Sequence, residues 1–130
     1  MIRLGTDIVY MPRIKAAVDR FGDRFLQRVY TLEEQQDCGY TQDDSSRLSI
    51  NQLAGRWAAK EAVAKALGTG WRGVSYTDIE IRRLPTGAPQ VFLHHSAAAQ
   101  TSDWGNCQWQ LSISHDGDYS VATAILVCLP

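Results

Sequence analysis

Residues 50–68 read INQLAGRWAAKEAVAKALG and carry the strongest helix signal in the chain. The stretch is rich in alanine, which has the highest helix propensity of all residues. Its last residue, Gly68, is typical of the position that follows a helix. We therefore predict one long helix over residues 50–67, and the rest of the fold is expected to pack around it.

The segments before this helix predict shorter helices, and those after it predict strands. From Ile14 to Val29 apolar residues recur every three or four positions, and Gly22 is expected to divide them into two helices. Thr31 and Glu34 form a capping-box pattern at the start of a third helix. Strands are expected over 1–5, 77–84 (with Ile79, Ile81 and Leu84 inward), 90–94, 108–115 and 119–128, with a small helix over 96–100 and a hairpin turn at Asp116-Gly117. These elements predict an α+β fold, in which a mainly antiparallel sheet packs against one long helix, in a single domain over residues 1–130.

The composition narrows the classes of function. A formal net charge of −1 gives no general attraction to nucleic acid or to acidic membranes, so an acidic partner requires a local basic patch. No apolar run is long enough to cross a bilayer, and no signal peptide is expected. The three cysteines, Cys38, Cys107 and Cys128, are odd in number and lack a paired short spacing. They argue against a disulfide framework and a thiolate zinc site, and they indicate a reducing, cytoplasmic compartment.

Charged residues cluster on the long helix. Glu61 and Lys65 share one side of it, and Arg56 and Lys60 lie on the adjoining side. One carboxylate flanked by three cations suits a metal ion beside a polyanion such as a pyrophosphate. The alternative is a solvated face with a Glu61–Lys65 pair. The glycine-rich loop over 68–70 follows a helix rather than preceding one, so it is not a P-loop, but its amides can form an anion-binding nest.

Two polar motifs lie at expected strand ends. Asp7 comes just past the predicted first strand, where it is either a ligand for a metal ion or the cap of the following helix. Ser112, Ser114 and Asp116 share one face of a predicted strand, with His115 on the other face. This second motif is either a polar hairpin or part of a binding site. It does not indicate a serine hydrolase, because no nucleophile elbow is present.

A basic stripe runs along the first helices. Arg13, Arg20, Arg24 and Arg28 are spaced by seven, four and four residues, beside the apolar stripe of the same segment. The stripe is either a solvated flank or a docking surface for an acidic protein. The formal net charge of −1 disfavours a nucleic-acid-binding domain.

In this order, the motifs resemble those of holo-acyl-carrier-protein synthases, the small class of phosphopantetheinyl transferases. The matching text is GTDIV at 5–9, GRWAAKEA at 55–62 with KALGTG at 65–70, and SISH at 112–115. The resemblance spans almost the whole chain, and the middle motif is the specific one. It implies transfer of 4'-phosphopantetheine from coenzyme A to a serine of apo-acyl carrier protein, in support of fatty acid biosynthesis. The leaving group would be adenosine 3',5'-bisphosphate.

The resemblance also implies roles for matching residues. Asp7 and Glu61 would be the side-chain ligands of Mg²⁺, and Arg56, Lys65 and His115 would approach the phosphates of coenzyme A. Catalysis would rest on Glu61, Asp7 and Lys65. The loop Gly68, Thr69 and Gly70 would hold the nucleotide end, and Arg13, Arg20 and Arg24 would meet the acidic carrier protein. The family further implies a homotrimer with active sites between subunits.

The residue types agree with that chemistry. Charge develops on non-bridging oxygens and on the leaving phosphate, where Mg²⁺, Lys65 and Arg56 would neutralise it. The serine proton has several possible acceptors: Glu61, a metal-bound water, His115 or Asp116.

Two residues depart from the family pattern. Ala88 stands where a basic residue is usual, and Trp71 where a smaller apolar one is usual. A non-catalytic module that binds coenzyme A or carrier protein is the main alternative, and polyketide or peptide carriers are alternative substrates.

Overall fold

The computed structural model describes residues 1–42 and 44–130. Five helices are present in this part of the chain: α1 Met11–Phe21, α2 Asp23–Val29, α3 Leu32–Asp37, α4 Ile50–Leu67 and α5 His95–Thr101. The strands are β1 Ile2–Tyr10, β2 Ile79–Arg83, β3 Pro89–Leu93, β4 Asn106–Asp116 and β5 Tyr119–Leu129. A 3-10 turn, Tyr76–Asp78, leads into β2. The α+β prediction is confirmed, and α4 has the predicted bounds.

The strands form two antiparallel sheets rather than the single sheet that the sequence predicted. The larger sheet has the order β1-β5-β4, and β2 and β3 form a separate pair. β4 and β5 are joined by a tight turn in which Gly117 has a φ of 57°. One face of the larger sheet packs against α4, so this helix lies at the centre of the fold.

The interface between β1 and α4 is very close because Gly5 has no side chain. A Cβ atom at Gly5 would lie only 1.8 Å from the carbonyl oxygen of Ala62. The alanines of α4 are buried on this side, which lets helix and strand backbones approach each other. Any residue larger than glycine at position 5 would force α4 away from the strand.

The first strand is longer than predicted, and this changes the place of Asp7. β1 continues through Asp7 to Tyr10 because each residue pairs with β5, Asp7 opposite Ala122 and Tyr10 opposite Tyr119. Tyr10, not Asp7, precedes the first residue of α1. The cap interpretation of Asp7 is therefore wrong. Alternation along the strand instead turns Gly5, Asp7 and Val9 towards α4.

The expectation from the cysteines is also wrong. Cys107 and Cys128 form a disulfide, 21 residues apart in sequence, and Cys38 is a buried free thiol. The two bonded cysteines lie directly opposite each other in the β4–β5 ladder, with Cα atoms 4.0 Å apart. Their pairing follows from the hairpin register, which their spacing alone does not reveal.

Among the strand residues expected to point inward, Ile79 and Ile81 are buried, whereas Leu84 is 40% exposed.

The other face of the larger sheet is apolar and open. The exposed side chains on it include Ile2, Leu4 and Ile8, at 73%, 63% and 61% exposure. Tyr10, Tyr119 and Val121 continue the same surface, which we call the open sheet face.

No helix in the described part of the chain has the length and apolar character needed to span a membrane.

Candidate functional site

The structure brings Asp7 and Lys65 together at the edge between β1 and α4. The Nζ atom of Lys65 lies 3.1 Å from Oδ1 of Asp7, and it also donates to the carbonyl oxygen of Thr6 at 2.9 Å. The Asp7 side chain is 17% exposed and that of Lys65 is 54% exposed. The pair is thus open to solvent, and both charges remain accessible to a ligand.

Glu61 lies one helical turn before Lys65 on the same side of α4. Its carboxylate accepts a hydrogen bond from Trp71 Nε1 at 3.1 Å and another from the Tyr76 hydroxyl at 3.0 Å. Burial and the negative charge of Glu61 raise the pKa of Tyr76 to about 12. The charge of Asp7 also raises the pKa of Tyr76, and that of Arg28 lowers it.

Lys60, the neighbour of Glu61 in sequence, belongs to a different environment. Its Nζ lies 2.7 Å from Oε1 of Glu34, and both side chains are 0% exposed. It also donates to the carbonyl oxygens of Tyr76 and Ile79. Lys60 is therefore unable to meet a phosphate, and the predicted cluster of three cations around Glu61 is wrong. Helical spacing placed Lys60 beside the site, but α3 and β2 cover that side of the helix.

Arg56 and His115 line a second region, a groove of about 220 Å³. Arg56 is 5% exposed, donates through Nε to the carbonyl oxygen of Ile81 at 3.2 Å, and lies 3.8 Å from Asp37. A guanidinium has five N–H donors, so several remain for a ligand in the groove. His115 is exposed near the end of β4.

The loop after α4 is shaped by glycines. Gly68 ends α4 with a φ of 90°, and Gly70 has a φ of 59°, both in the region that favours glycine. Arg3 donates to the carbonyl oxygens of Ala66 and Leu67, the last two residues of α4. The side chains of Thr69 and Gln100 hydrogen-bond each other. This loop follows directly on the turn that carries Lys65, so the sequence-predicted nucleotide loop adjoins the Asp7 edge.

The predicted docking residues Arg13, Arg20 and Arg24 are all exposed on α1 and α2. Beside them lies a groove of about 410 Å³, which we call the aromatic groove. It is lined by Phe21, Arg24, Phe25, Arg28, Val29, Trp57 and Tyr76. Because Tyr76 also binds Glu61, the groove connects the basic helices to the carboxylate.

Sequence reasoning missed several residues near Glu61. It noted Trp71 only as a departure from the family pattern, and it gave no site role to Phe25 or Tyr76. Helical spacing does place Trp57 on the same side of α4 as Glu61, because it precedes Glu61 by four positions. No comparable signal marks Tyr76, which reaches the site through the loop after α4.

The side chains at the β1–α4 edge suit Mg²⁺, which completes its shell with water and substrate. They do not suit a metal ion whose ligands all come from the protein. No group of three or more His, Cys, Asp or Glu side chains with metal-binding geometry occurs in the described ranges. Mg²⁺ commonly takes one or two carboxylates and completes its shell with water and substrate phosphates. Asp7 and Glu61 are two carboxylates on facing elements, partly open to solvent.

Comparisons with known proteins agree with one another. A family model described as the 4'-phosphopantetheinyl transferase superfamily matches residues 3–124. The holo-[acyl-carrier-protein] synthase of Gloeobacter violaceus is 50% identical over 125 residues, which cover 96% of this chain and 92% of that relative. The crystal structure of the Helicobacter pylori holo-[acyl-carrier-protein] synthase in complex with coenzyme A matches with a TM-score of 0.80 and 30% identity, covering 95% of this chain and 99% of that one. The Neisseria meningitidis enzyme of the same name matches with a TM-score of 0.83 and 35% identity, covering 98% and 99% of the two chains.

Proposed function

The chain belongs to the 4'-phosphopantetheinyl transferase superfamily, and from that premise we propose that it is a holo-acyl-carrier-protein synthase. It transfers 4'-phosphopantetheine from coenzyme A to a serine of apo-acyl carrier protein and releases adenosine 3',5'-bisphosphate. Residues 1–130 act as a single transferase domain. The carrier of fatty acid biosynthesis is the proposed partner. The cytoplasmic location stays a prediction. The cysteines no longer support it, because Cys107 and Cys128 form a disulfide.

One observation carries this proposal: the basic helices and the Glu61 carboxylate meet at the aromatic groove. Arg24 and Tyr76 both line the groove, and the Tyr76 hydroxyl donates to Glu61. An acidic carrier that docks on Arg13, Arg20 and Arg24 would lie beside the groove. Its serine would then approach the groove that Tyr76 links to Glu61.

Asp7 and Glu61 are the proposed ligands of Mg²⁺. When bound, Mg²⁺ supplies positive charge to the pyrophosphate oxygens on which negative charge develops. Lys65 contributes from the same edge: its side chain is 54% exposed, and its ammonium, which donates to Asp7 and to the carbonyl oxygen of Thr6, keeps a third N–H for a phosphate. Gly68, Thr69 and Gly70 hold the nucleotide end with backbone amides next to Lys65.

Arg56 and His115 bind phosphate from a different direction. Arg56 and Glu61 are five residues apart, so their side chains leave α4 about 140° apart. A single chain therefore presents these two groups on different sides of the helix. If one active site uses both Arg56 and Glu61, we expect one of them to come from a second chain.

The open sheet face supplies the surface for such an assembly. Ile2, Leu4 and Ile8 form an exposed apolar surface of the kind that commonly marks an interface. We propose a homotrimer with cyclic symmetry, in which Glu61 of one chain and His115 of the next serve one site. Light scattering at micromolar concentration tests this first, because a monomeric mass would contradict it.

Mixing of inactive variants tests the shared site directly. Glu61→Gln and His115→Ala chains, each nearly inactive alone, should recover part of the activity when mixed trimers form. Recovery requires some interfaces to carry both native residues. If mixed trimers form but activity does not return, Glu61 and His115 of one site would come from the same chain.

Intact-protein mass spectrometry of an apo carrier tests the proposed activity. Incubation with this chain, coenzyme A and Mg²⁺ should add one phosphopantetheine, and a carrier lacking the acceptor serine is the control. Fatty acid, polyketide and peptide carriers tested in parallel determine the carrier class. Binding of coenzyme A and carrier without mass gain would instead support the non-catalytic binding module.

A further inference from the structure

Both oxygens of the Glu61 carboxylate are held by aromatic side chains. Trp71 Nε1 donates to Oε2 at 3.1 Å, and the Tyr76 hydroxyl donates to Oε1 at 3.0 Å. Both donors come from the segment that follows α4, not from the helix that carries Glu61. The two bonds fix the rotation of the carboxylate plane, which a single donor would leave free.

The two donors are themselves held in a stack of aromatic rings. The ring centroids of Trp71 and Tyr76 are 3.9 Å apart, and those of Tyr76 and Trp57 are 5.0 Å apart. Phe25 of α2 continues the stack, 6.1 Å from Trp57. The backbone of Tyr76 is anchored as well, because its carbonyl oxygen accepts a hydrogen bond from the buried Lys60 at 3.0 Å. Neither ring can turn away from Glu61 without disturbing its neighbours.

The hydrogen bonds leave the carboxylate able to bind a cation. Each carboxylate oxygen has two lone pairs, and each donor here uses one of them. Outer hydrogen bonds of this kind orient metal ligands, and their loss commonly lowers metal affinity about 10- to 100-fold. A carboxylate that is already oriented loses less rotational freedom when the cation arrives.

We infer that Trp71 and Tyr76 are positioning residues that hold Glu61 in its metal-binding orientation before the ion and coenzyme A arrive. The inference rests on the proposed function for the identity of the ion. It gives Trp71, a departure from the family pattern, a role that a smaller apolar residue lacks. Tyr76 has the corresponding role through its hydroxyl rather than through its ring.

Trp71→Phe and Tyr76→Phe test the inference because each removes a donor and keeps an aromatic ring in the stack. Mg²⁺ is titrated calorimetrically into the full chain saturated with coenzyme A, without carrier protein. Each variant should bind Mg²⁺ about tenfold more weakly, and the Mg²⁺ concentration for half-maximal transfer should rise equally. The transfer rate at saturating Mg²⁺ should change much less, because Glu61 itself is still present.

Trp104→Phe is the matched control, because Trp104 packs against Arg3 and not against Glu61. It should leave Mg²⁺ binding unchanged. Wild-type Mg²⁺ affinity in both donor variants would overturn the inference while leaving the proposed function intact. A wild-type chain that transfers no phosphopantetheine would instead overturn the proposed function. Circular dichroism checks the fold of each variant, and either one suffices if the other is unstable.

Discussion

Two lysines of α4 each meet a carboxylate, yet they belong to very different regions. Lys60 lies 2.7 Å from Glu34, with both side chains fully buried between α4, α3 and β2. Lys65 lies 3.1 Å from Asp7 at the open edge between α4 and β1, with its side chain 54% exposed. The first pair is enclosed by protein, and the second can exchange its partner for a ligand.

The difference shows that burial, not distance, decides what an ion pair does. In the interior, a lysine without its carboxylate would be an uncompensated charge, so losing either partner of the Lys60–Glu34 pair alone would strongly destabilise the fold. At the surface, water screens both charges and the pair adds little stability. Weak pairing at the edge would leave Lys65 and Asp7 available for the binding roles proposed above.

The largest expected effect is on the buried pair. Lys60→Met should lower the free energy of unfolding by about 3–5 kcal/mol, because Glu34 would remain as a buried charge without its cation. Urea unfolding followed by circular dichroism measures this at one fixed protein concentration, since subunit association raises apparent stability. Adding Glu34→Gln should recover part of the loss. A loss below about 1 kcal/mol would mean that the buried pair contributes no more to stability than an exposed pair does.

Glu61, one residue further along, should show the opposite behaviour. Glu61→Gln is expected to cut phosphopantetheine transfer at least about 100-fold, the scale of losing a group that stabilises developing charge. Its free energy of unfolding should change by only about 1 kcal/mol, because the amide oxygen can still accept from Trp71 Nε1 while the amide N–H donates to the Tyr76 hydroxyl. Mass spectrometry of the carrier measures the first quantity and urea unfolding the second. Near-normal transfer at saturating Mg²⁺ would refute the assignment of Glu61.

Lys65→Met repeats the test on the exposed lysine. The loss of one charged hydrogen bond to a phosphate, about 1.5–3 kcal/mol, predicts a fall in transfer of roughly 10- to 100-fold. Stability should change by less than about 1 kcal/mol, because the Asp7 carboxylate stays in contact with water. The same substitution at positions 60 and 65 thus separates a fold effect from an activity effect. If Lys65→Met unfolds the chain as Lys60→Met does, the contrast between the two regions fails.

The smallest effect is expected at a third pair, Lys15 and Asp19 on α1. Their charged atoms are only 2.6 Å apart, closer than in either α4 pair, but the side chains are 62% and 61% exposed. Lys15→Met should cost only about 0.3–0.5 kcal/mol of unfolding free energy. In 1 M NaCl, where the Debye length is about 3 Å, this cost should shrink further. A loss comparable to that of Lys60→Met would make distance, rather than burial, the deciding factor.

Local sequence patterns were sufficient for much of the fold. Alanine content and Gly68 predicted α4 with its observed bounds, and the capping box at Thr31 and Glu34 is present with both of its hydrogen bonds. These features depend on residues close together in sequence, so propensity and capping rules describe them well. The motifs at 5–9, 55–70 and 112–115 likewise indicated the family, which the comparisons confirm.

Tertiary structure alone decided which side of α4 carries the candidate site. The helix is apolar over most of its circumference, so its pattern does not tell whether Lys60 or Lys65 will be covered. That depends on Glu34 from α3 and on β2, which are distant in sequence. The length of β1 and the Cys107–Cys128 bond depend in the same way on pairing with β5. The hold of Trp71 and Tyr76 on Glu61 requires a loop to fold back over its own helix, and no local periodicity encodes such a contact.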